Sequence, residues 1–117
     1  VIYVPTDNTA ASNTEIINNI CLPAGVPVIA GEEGICSGCG VATLSIDYYE
    51  IGLATGQMAT RILTGESDIS EMPIEYAPTF TKKYNPDICE ELGVEIPDDY
   101  VAIGAEEAEE TTEAATE

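Results

Sequence analysis

The chain has 117 residues, with 22 acidic against three basic side chains, a net charge of −19 and no histidine. That balance excludes nucleic acid as a partner, because nothing is present to neutralise phosphates, and it excludes anionic membrane surfaces on the same ground. The length suits one domain, and no run approaches the ~20 apolar residues of a membrane span.

The chain opens without an initiator Met, directly inside the apolar run Val1-Ile-Tyr-Val4. No turn or cap precedes that run. It therefore reads as the C-terminal piece of a longer protein, whose absent strands would pair with this one and whose absent N-terminus would carry any signal peptide. The run ends in Pro5-Thr-Asp-Asn-Thr9. A helix over 9–22 is expected next, with Ile16, Ile17, Ile20 and Leu22 on one side. Ser12 and Glu15 have the spacing of a capping box, and Pro23-Ala-Gly25 ends the helix. A second apolar run, Val26-Pro-Val-Ile-Ala30, leads into Gly31-Glu-Glu-Gly34. Strand, helix and strand with such short connections predict a right-handed parallel crossover.

Residues 33–40 read as a glycine-rich loop. A third strand, Val41 to Ile46, runs into Asp47-Tyr-Tyr-Glu50. A helix over 48–64 follows, with Ile51, Ala54 or Thr55, Met58 and Ile62 in register and Gly65 as its stop. Gly52 and Gly56 share one face, which predicts close packing of that helix on a sheet. Residues 72–80 are extended and carry two prolines, which confines them to an edge or a crossing segment. A short helix over 86–92 has Asn85 as N-cap and Gly93 as its end. From Ala105 only Ala, Glu and Thr remain, a composition expected of a disordered acidic tail. The fold class is α/β, a three-layer arrangement around a parallel sheet.

Three strands that each end in a polar, acidic cluster point to a site. In open α/β sheets, ligands bind beyond the carboxyl ends of the strands. Asp7, Glu32 or Glu33, and Asp47 would then meet on one rim, suited to a small solute with a positive group. A carboxylate such as Asp47 accepts charge-assisted hydrogen bonds from an ammonium, and it equally suits the N-cap of the next helix. Thr6, Asn8 and Thr9 lie at a helix start, where amides and hydroxyls favour a ligand carboxylate or simply cap the helix. Asp7 there offsets the helix dipole. Tyr48 and Tyr49 line an aromatic pocket or fill a sheet–helix interface. Glu32 and Glu33 could be read as a catalytic carboxylate pair, but no histidine is available as a base and nothing indicates a raised pKa. Cys36-Ser-Gly-Cys39 offers three readings: a disulfide or free thiols, half of a metal site completed by Cys21 and Cys89, or a redox pair.

The segments IYVPTDNT, VPVIAGEEG, ATLSIDYYEIGLATGQMA, ILTGE, MPIEY and NPDICEELGVEIPDD follow one another over residues 1–99. Together they resemble the C-terminal part of ABC-transporter solute-binding proteins of the tryptophan/tyrosine-binding type, which have a type I periplasmic-binding-protein fold. The resemblance implies two α/β lobes closing on a small solute. Residues 1–47 would belong mainly to one lobe and 48–104 would cross back to the other, with 105–117 as the tail. It implies ligand contacts from Thr6, Asp7, Asn8, Thr9, Glu32, Glu33, Asp47 and Tyr48. It also implies an amino-acid-like solute, ABC permease subunits as partners, no cofactor, no metal and no catalysis. Such a protein sits in the periplasm or on the extracellular face of the membrane, lipid-anchored through its N-terminus. Cys36 and Cys39 depart from the family's usual loop. The competing functions are a thiol or metal protein built on those two cysteines and a ligand-sensing module of the same fold.

Overall fold

A computed structural model describes residues 1–104; the acidic tail over 105–117 lies outside the described residues. The chain divides into two units, one formed by residues 1–45 together with those from 81 onward, the other by 46–80.

The first unit is built on a sheet. Its strands are β1 (Ile2–Val4), β2 (Val28–Ala30), β3 (Ala42–Ile46), β4 (Phe80–Tyr84) and β5 (Val101–Ala102), in the spatial order of the chain. β1 and β2 run parallel with Val4 opposite Ala30, and β2 and β3 run parallel with Ala30 opposite Thr43. β4 and β5 are also parallel, with Lys83 opposite Val101. The three parallel strands expected from the apolar runs are therefore neighbours. β1 is not buried as a run of its kind suggests: Tyr3 is 65% exposed. It lies at the edge of the sheet, where only β2 pairs with it among the described residues.

Alternation along β2 divides the core in two. Val28 and Ala30 join Cys21, Ile35, Cys36 and Cys39 in one cluster, with Val4, Ala10 and Ile17 packed against it. Ile29, between them, packs on a second cluster of Val41, Ala42, Ile88 and Cys89. Successive strand residues point to opposite faces. Helices α2 (Thr14–Cys21) and α3 (Glu33–Cys39) thus cover one face of the sheet and α5 (Pro86–Leu92) the other. This is the three-layer arrangement that the strand pattern implied.

The expected helix over 9–22 is two helices, α1 (Asn8–Ala11) and α2. Ser12 Oγ donates to the Asn8 carbonyl at 2.9 Å and Asn13 Nδ2 donates to the Thr9 carbonyl at 2.7 Å. Such local side-chain bonds compete with helix continuation. Ser12 is the C-cap of α1 rather than half of a capping box, and Asn13 precedes α2 without a side-chain cap bond.

The stretch 33–40, expected as a loop, is the helix α3. Its glycines serve packing rather than flexibility. A Cβ on Gly38 would lie 2.3 Å from Thr14 Oγ1, so glycine lets α3 approach α2. The helix gains its face from Ile35, Cys36 and Cys39, all buried. β5 is a two-residue strand that the sequence pattern did not reveal.

In the second unit, α4 (Tyr48–Leu63) closely matches the helix expected over 48–64. Gly65 follows it with φ +75°. Ile51, Ala54 and Met58 line a groove of about 330 Å³ with Tyr76 and Phe80. Gly52 and Gly56 do not pack closely as expected: both are exposed, and an added Cβ would meet nothing within 4 Å. No helix among the described residues is long and apolar enough to cross a membrane.

Asn85 ties the layers of the first unit together. Its Oδ1 accepts from the Asp87 and Ile88 amides at 3.1 and 3.3 Å, capping α5 as expected, and Gly93 ends that helix with φ +64°. Its Nδ2 donates to the Ser37 carbonyl at 2.9 Å and the Cys36 carbonyl at 3.4 Å, and its own amide donates to the Val41 carbonyl at 3.1 Å. Asn85 is 9% exposed, so water cannot replace these bonds. Loss of an N-cap costs about 1 kcal/mol, and an unsatisfied buried acceptor adds roughly 1–3 kcal/mol. Asn85→Ala is expected to lower unfolding stability by about 2–4 kcal/mol in chemical denaturation. Asn85→Asp, which keeps the cap and loses the donor, should fall between Ala and the natural residue.

Candidate functional site

Parallel strands place their carboxyl ends on one edge, so the segments leaving β1 and β2 start side by side. They touch at Gly31. Its amide donates to the Val4 carbonyl at 2.8 Å, and Thr6 Oγ1 donates to the Gly31 carbonyl at 3.2 Å. A Cβ on Gly31 would lie 2.6 Å from the Thr6 nitrogen, a distance that no side chain tolerates. Only glycine lets the 5–9 segment and the 31–33 segment close into one rim.

The acidic side chains on that rim each have a defined partner. Asp7 is the N-cap of α1, with Oδ1 accepting from the Ala10 amide at 2.9 Å. Asn8 and Thr9 open α1; their exposed side chains make no hydrogen bond among the described residues. Glu32 caps α3 with both oxygens, accepting from the Gly34 amide at 2.8 Å and the Ile35 amide at 2.5 Å. Glu33 is the first residue of α3, and its Oε2 pairs with Lys83 Nζ at 2.9 Å. The structure thus brings Thr6, Asp7, Asn8, Thr9, Glu32 and Glu33 to one edge of the first unit. It also separates the two glutamates: Glu32 is held by backbone amides and Glu33 by a lysine. A shared-proton carboxylate pair needs two acids facing each other in a poor solvent, and these two are engaged elsewhere.

Asp47 and Tyr48 belong to the second unit. Asp47 is the N-cap of α4, with Oδ1 accepting from the Tyr49 amide at 2.8 Å and the Glu50 amide at 3.2 Å. Tyr48 and Tyr49 are 59% and 77% exposed, so neither fills an interface among the described residues. In the same unit Arg61 pairs with Glu75 at 2.5 Å. Sequence reasoning missed Lys83. Its burial in β4 and its partner 50 positions away show only in the folded chain.

The four cysteines are free and buried. Cys36 Sγ donates to the Gly40 carbonyl, Cys39 Sγ to the Ile35 carbonyl at 3.3 Å, and Cys89 Sγ to the Val41 carbonyl at 3.2 Å. Burial pushes the Cys36 thiol up to about 12, with Cys89, Cys39, Glu33 and Glu32 adding to the effect. Burial likewise raises Cys39, helped by Cys21, and raises Cys89. A reactive cysteine needs the opposite, a lowered pKa at an exposed helix start. Cys36 is the fourth residue of α3 and Cys39 the last, so the Cys36-x-x-Cys39 pair lies in a helix rather than in the expected loop. No group of three or more metal-ligating side chains comes together among the described residues.

Comparison with known proteins places this geometry in context. Residues 1–108 match the family model described as ABC transporter substrate binding protein. A tyrosine-binding protein of Clostridioides difficile is 36% identical over 74 residues, 63% of this chain and 21% of that protein. Among solved structures, a ligand-free, open substrate binding protein with adhesive properties from Clostridium difficile has a TM-score of 0.64 at 38% identity, covering 86% of this chain and 35% of that one. An ABC domain in complex with L-Trp from Streptococcus pneumonia has a TM-score of 0.73 at 27% identity, covering 87% of this chain and 36% of that one. A conserved domain protein of Vibrio cholerae also reaches 0.73, at 28% identity. The chain therefore spans about a third of the length of these solved relatives and about a fifth of the tyrosine-binding one.

The thiol geometry gives a direct check. With a pKa of about 12, only about one Cys36 in ten thousand is thiolate at pH 8, against about a quarter of free cysteines. The native protein at pH 8 is expected to release almost no chromophore from an aryl disulfide reagent within an hour. In denaturant all four thiols should titrate at once. Rapid reaction of Cys36 or Cys39 in the native state would contradict the packing of α3.

Proposed function

The chain belongs to the ABC transporter substrate binding protein family, and from that premise we propose that it serves as a solute receptor for an ABC importer, binding an amino-acid-like ligand without catalysis. The observation that carries this reading is the rim closed at Gly31. It presents the exposed side chains of Asn8 and Thr9 beside the carboxylates of Asp7, Glu32 and Glu33. An amino acid carries both complements: a carboxylate for hydroxyl and amide donors, and an ammonium for acids. The names of two relatives, one tyrosine-binding and one in complex with L-Trp, support an amino acid as the solute.

The contacts we assign are Thr6, Asp7, Asn8, Thr9, Glu32 and Glu33 in the first unit and Asp47 and Tyr48 in the second. In the two-lobe arrangement of such receptors, residues 1–45 and 81–104, which form one unit, serve one lobe and 46–80 cross to the other. The receptor works outside the cytoplasm, held by a lipid anchor, and delivers its solute to permease subunits. Its lack of catalysis agrees with a rim that has no histidine and whose paired glutamates are committed to amides and to Lys83. A thiol-based function gains nothing from cysteines that burial keeps protonated.

Isothermal titration of the whole protein with L-tyrosine, L-tryptophan and branched amino acids tests the reading. One of these should bind with a single site. Asp47→Ala is expected to weaken that binding by roughly 1.5–3 kcal/mol, the scale of a hydrogen bond to a charged group. Asp47→Asn, which still caps α4, should lose less stability than Ala while losing most of the affinity. Unchanged affinity in both variants would leave Asp47 as a cap alone.

A further inference from the structure

We propose that the bare face of α4, centred on Gly52 and Gly56, is the seat for the part of the receptor fold that lies outside residues 1–117. The proposal rests on the family match and not on the identity of the solute.

The second unit cannot hold itself together. All the buried residues described fall in the first unit, and α4 has none. A helix of 16 residues is marginal in water by itself, and so small a unit gains too little from its own burial. One face of α4 is partly covered, where Ile51, Ala54 and Met58 line the groove with Tyr76 and Phe80.

The opposite face carries Tyr49, Gly52, Leu53, Gly56, Ala59 and Leu63, three and four residues apart and all exposed. It holds no charge, in a chain with 22 acids. The two charged residues of α4, Glu50 and Arg61, fall on another side of the helix. Thr60, on the bare face, spends its hydroxyl on the Gly56 carbonyl at 2.9 Å. A Cβ on Gly52 or Gly56 would meet nothing within 4 Å. Glycine is the poorest helix former after proline, and open space gives no reason for two of them. A backbone seated on the helix does, because without a Cβ it comes closer than any side chain allows.

The occupant follows from the relatives. The matches to the ligand-free substrate binding protein and to the L-Trp complex cover 86% and 87% of this chain, too much to omit the second unit, yet only 35% and 36% of those proteins. In both, the counterpart of the second unit folds within a much larger polypeptide. A second copy of this chain is a poor substitute, since each brings a net charge of −19. The remainder of the fold presents an uncharged, apolar surface whose backbone reaches the α-carbons of Gly52 and Gly56.

The test is the sign of an effect. Gly52→Ala and Gly56→Ala each add one methyl group, which only strengthens a bare helix. Native-state hydrogen exchange of the solute-free whole protein, read at the amides of 51–63, measures that strength. No solute enters, so the result stands apart from the receptor reading. A bare face gives exchange about fivefold slower in each variant, the gain of alanine over glycine. The seated face gives exchange about tenfold or more faster, because the methyl displaces the backbone packed on it. Gln57→Ala, on another side of α4, should not accelerate exchange. Slower or unchanged exchange in either glycine variant overturns the proposal, and so does an equal acceleration in Gln57→Ala. A dimer in sedimentation, with exchange at 51–63 that slows as protein concentration rises, seats a second copy on this face and overturns it too. If neither glycine variant folds, the natural protein decides. Amides of 51–63 exchanging more than about a hundredfold slower than an unstructured chain support the seat, and faster exchange overturns it.

Discussion

The side-chain amide of Asn85 is the joint on which the first unit depends. Its four hydrogen bonds join α5 to α3 in a nearly dry environment, and the Asn85 backbone amide adds a bond to the Val41 carbonyl just before β3. Bonds of this kind contribute little each when water can replace them, and they are costly to leave unmade when it cannot. Asn85 anchors the carbonyls of Cys36 and Ser37 in α3. The other end of α3 carries Glu32 and Glu33. The position of the acidic rim is therefore set from the far end of the helix.

The rim itself is closed by a different constraint, the contact between Gly31 and Thr6. Backbone meets backbone there, so no side-chain adjustment can relieve a substituent. Anchored by Asn85 at one end of α3 and pinned by Gly31 where β2 leaves the sheet, the acidic side chains have fixed partners before any solute arrives. Preorganised groups of this sort bind without a further ordering cost. The carboxylates of Asp7, Glu32 and Asp47 also serve as helix caps. Capping fixes one or both oxygens, and it leaves their charge at the helix starts, where the backbone dipole partly offsets it.

Much of this was legible in the residues. The β-branched runs at 1–4, 26–30 and 41–46 contain the three parallel strands. The spacing of Ile51, Ala54 and Met58 marked α4, and Asn85 with Gly93 bounded α5. The misses have physical reasons. α3 holds two glycines and two cysteines in seven residues, a composition poor in helix propensity, and tertiary packing overrides it. Ile35, Cys36 and Cys39 at i, i+1 and i+4 were the signal that a buried helical face was present. The division of α1 from α2 turns on two side-chain bonds from Ser12 and Asn13, which no periodicity reveals. β5 is too short to leave a pattern. The partnership of Lys83 and Glu33 joins positions 50 apart, and only the folded sheet brings them together.

The central claim is that a small amino-acid-like solute binds where the segments after β1 and β2 are joined. Amide chemical shifts of the isotopically labelled whole protein, followed during titration with L-tyrosine and L-tryptophan, test it residue by residue. The account predicts saturable shifts at residues 6–10, 31–35 and 47–50, with the amides of α5 unmoved. Saturable binding whose shifts avoid 6–10 and 31–35 would contradict it.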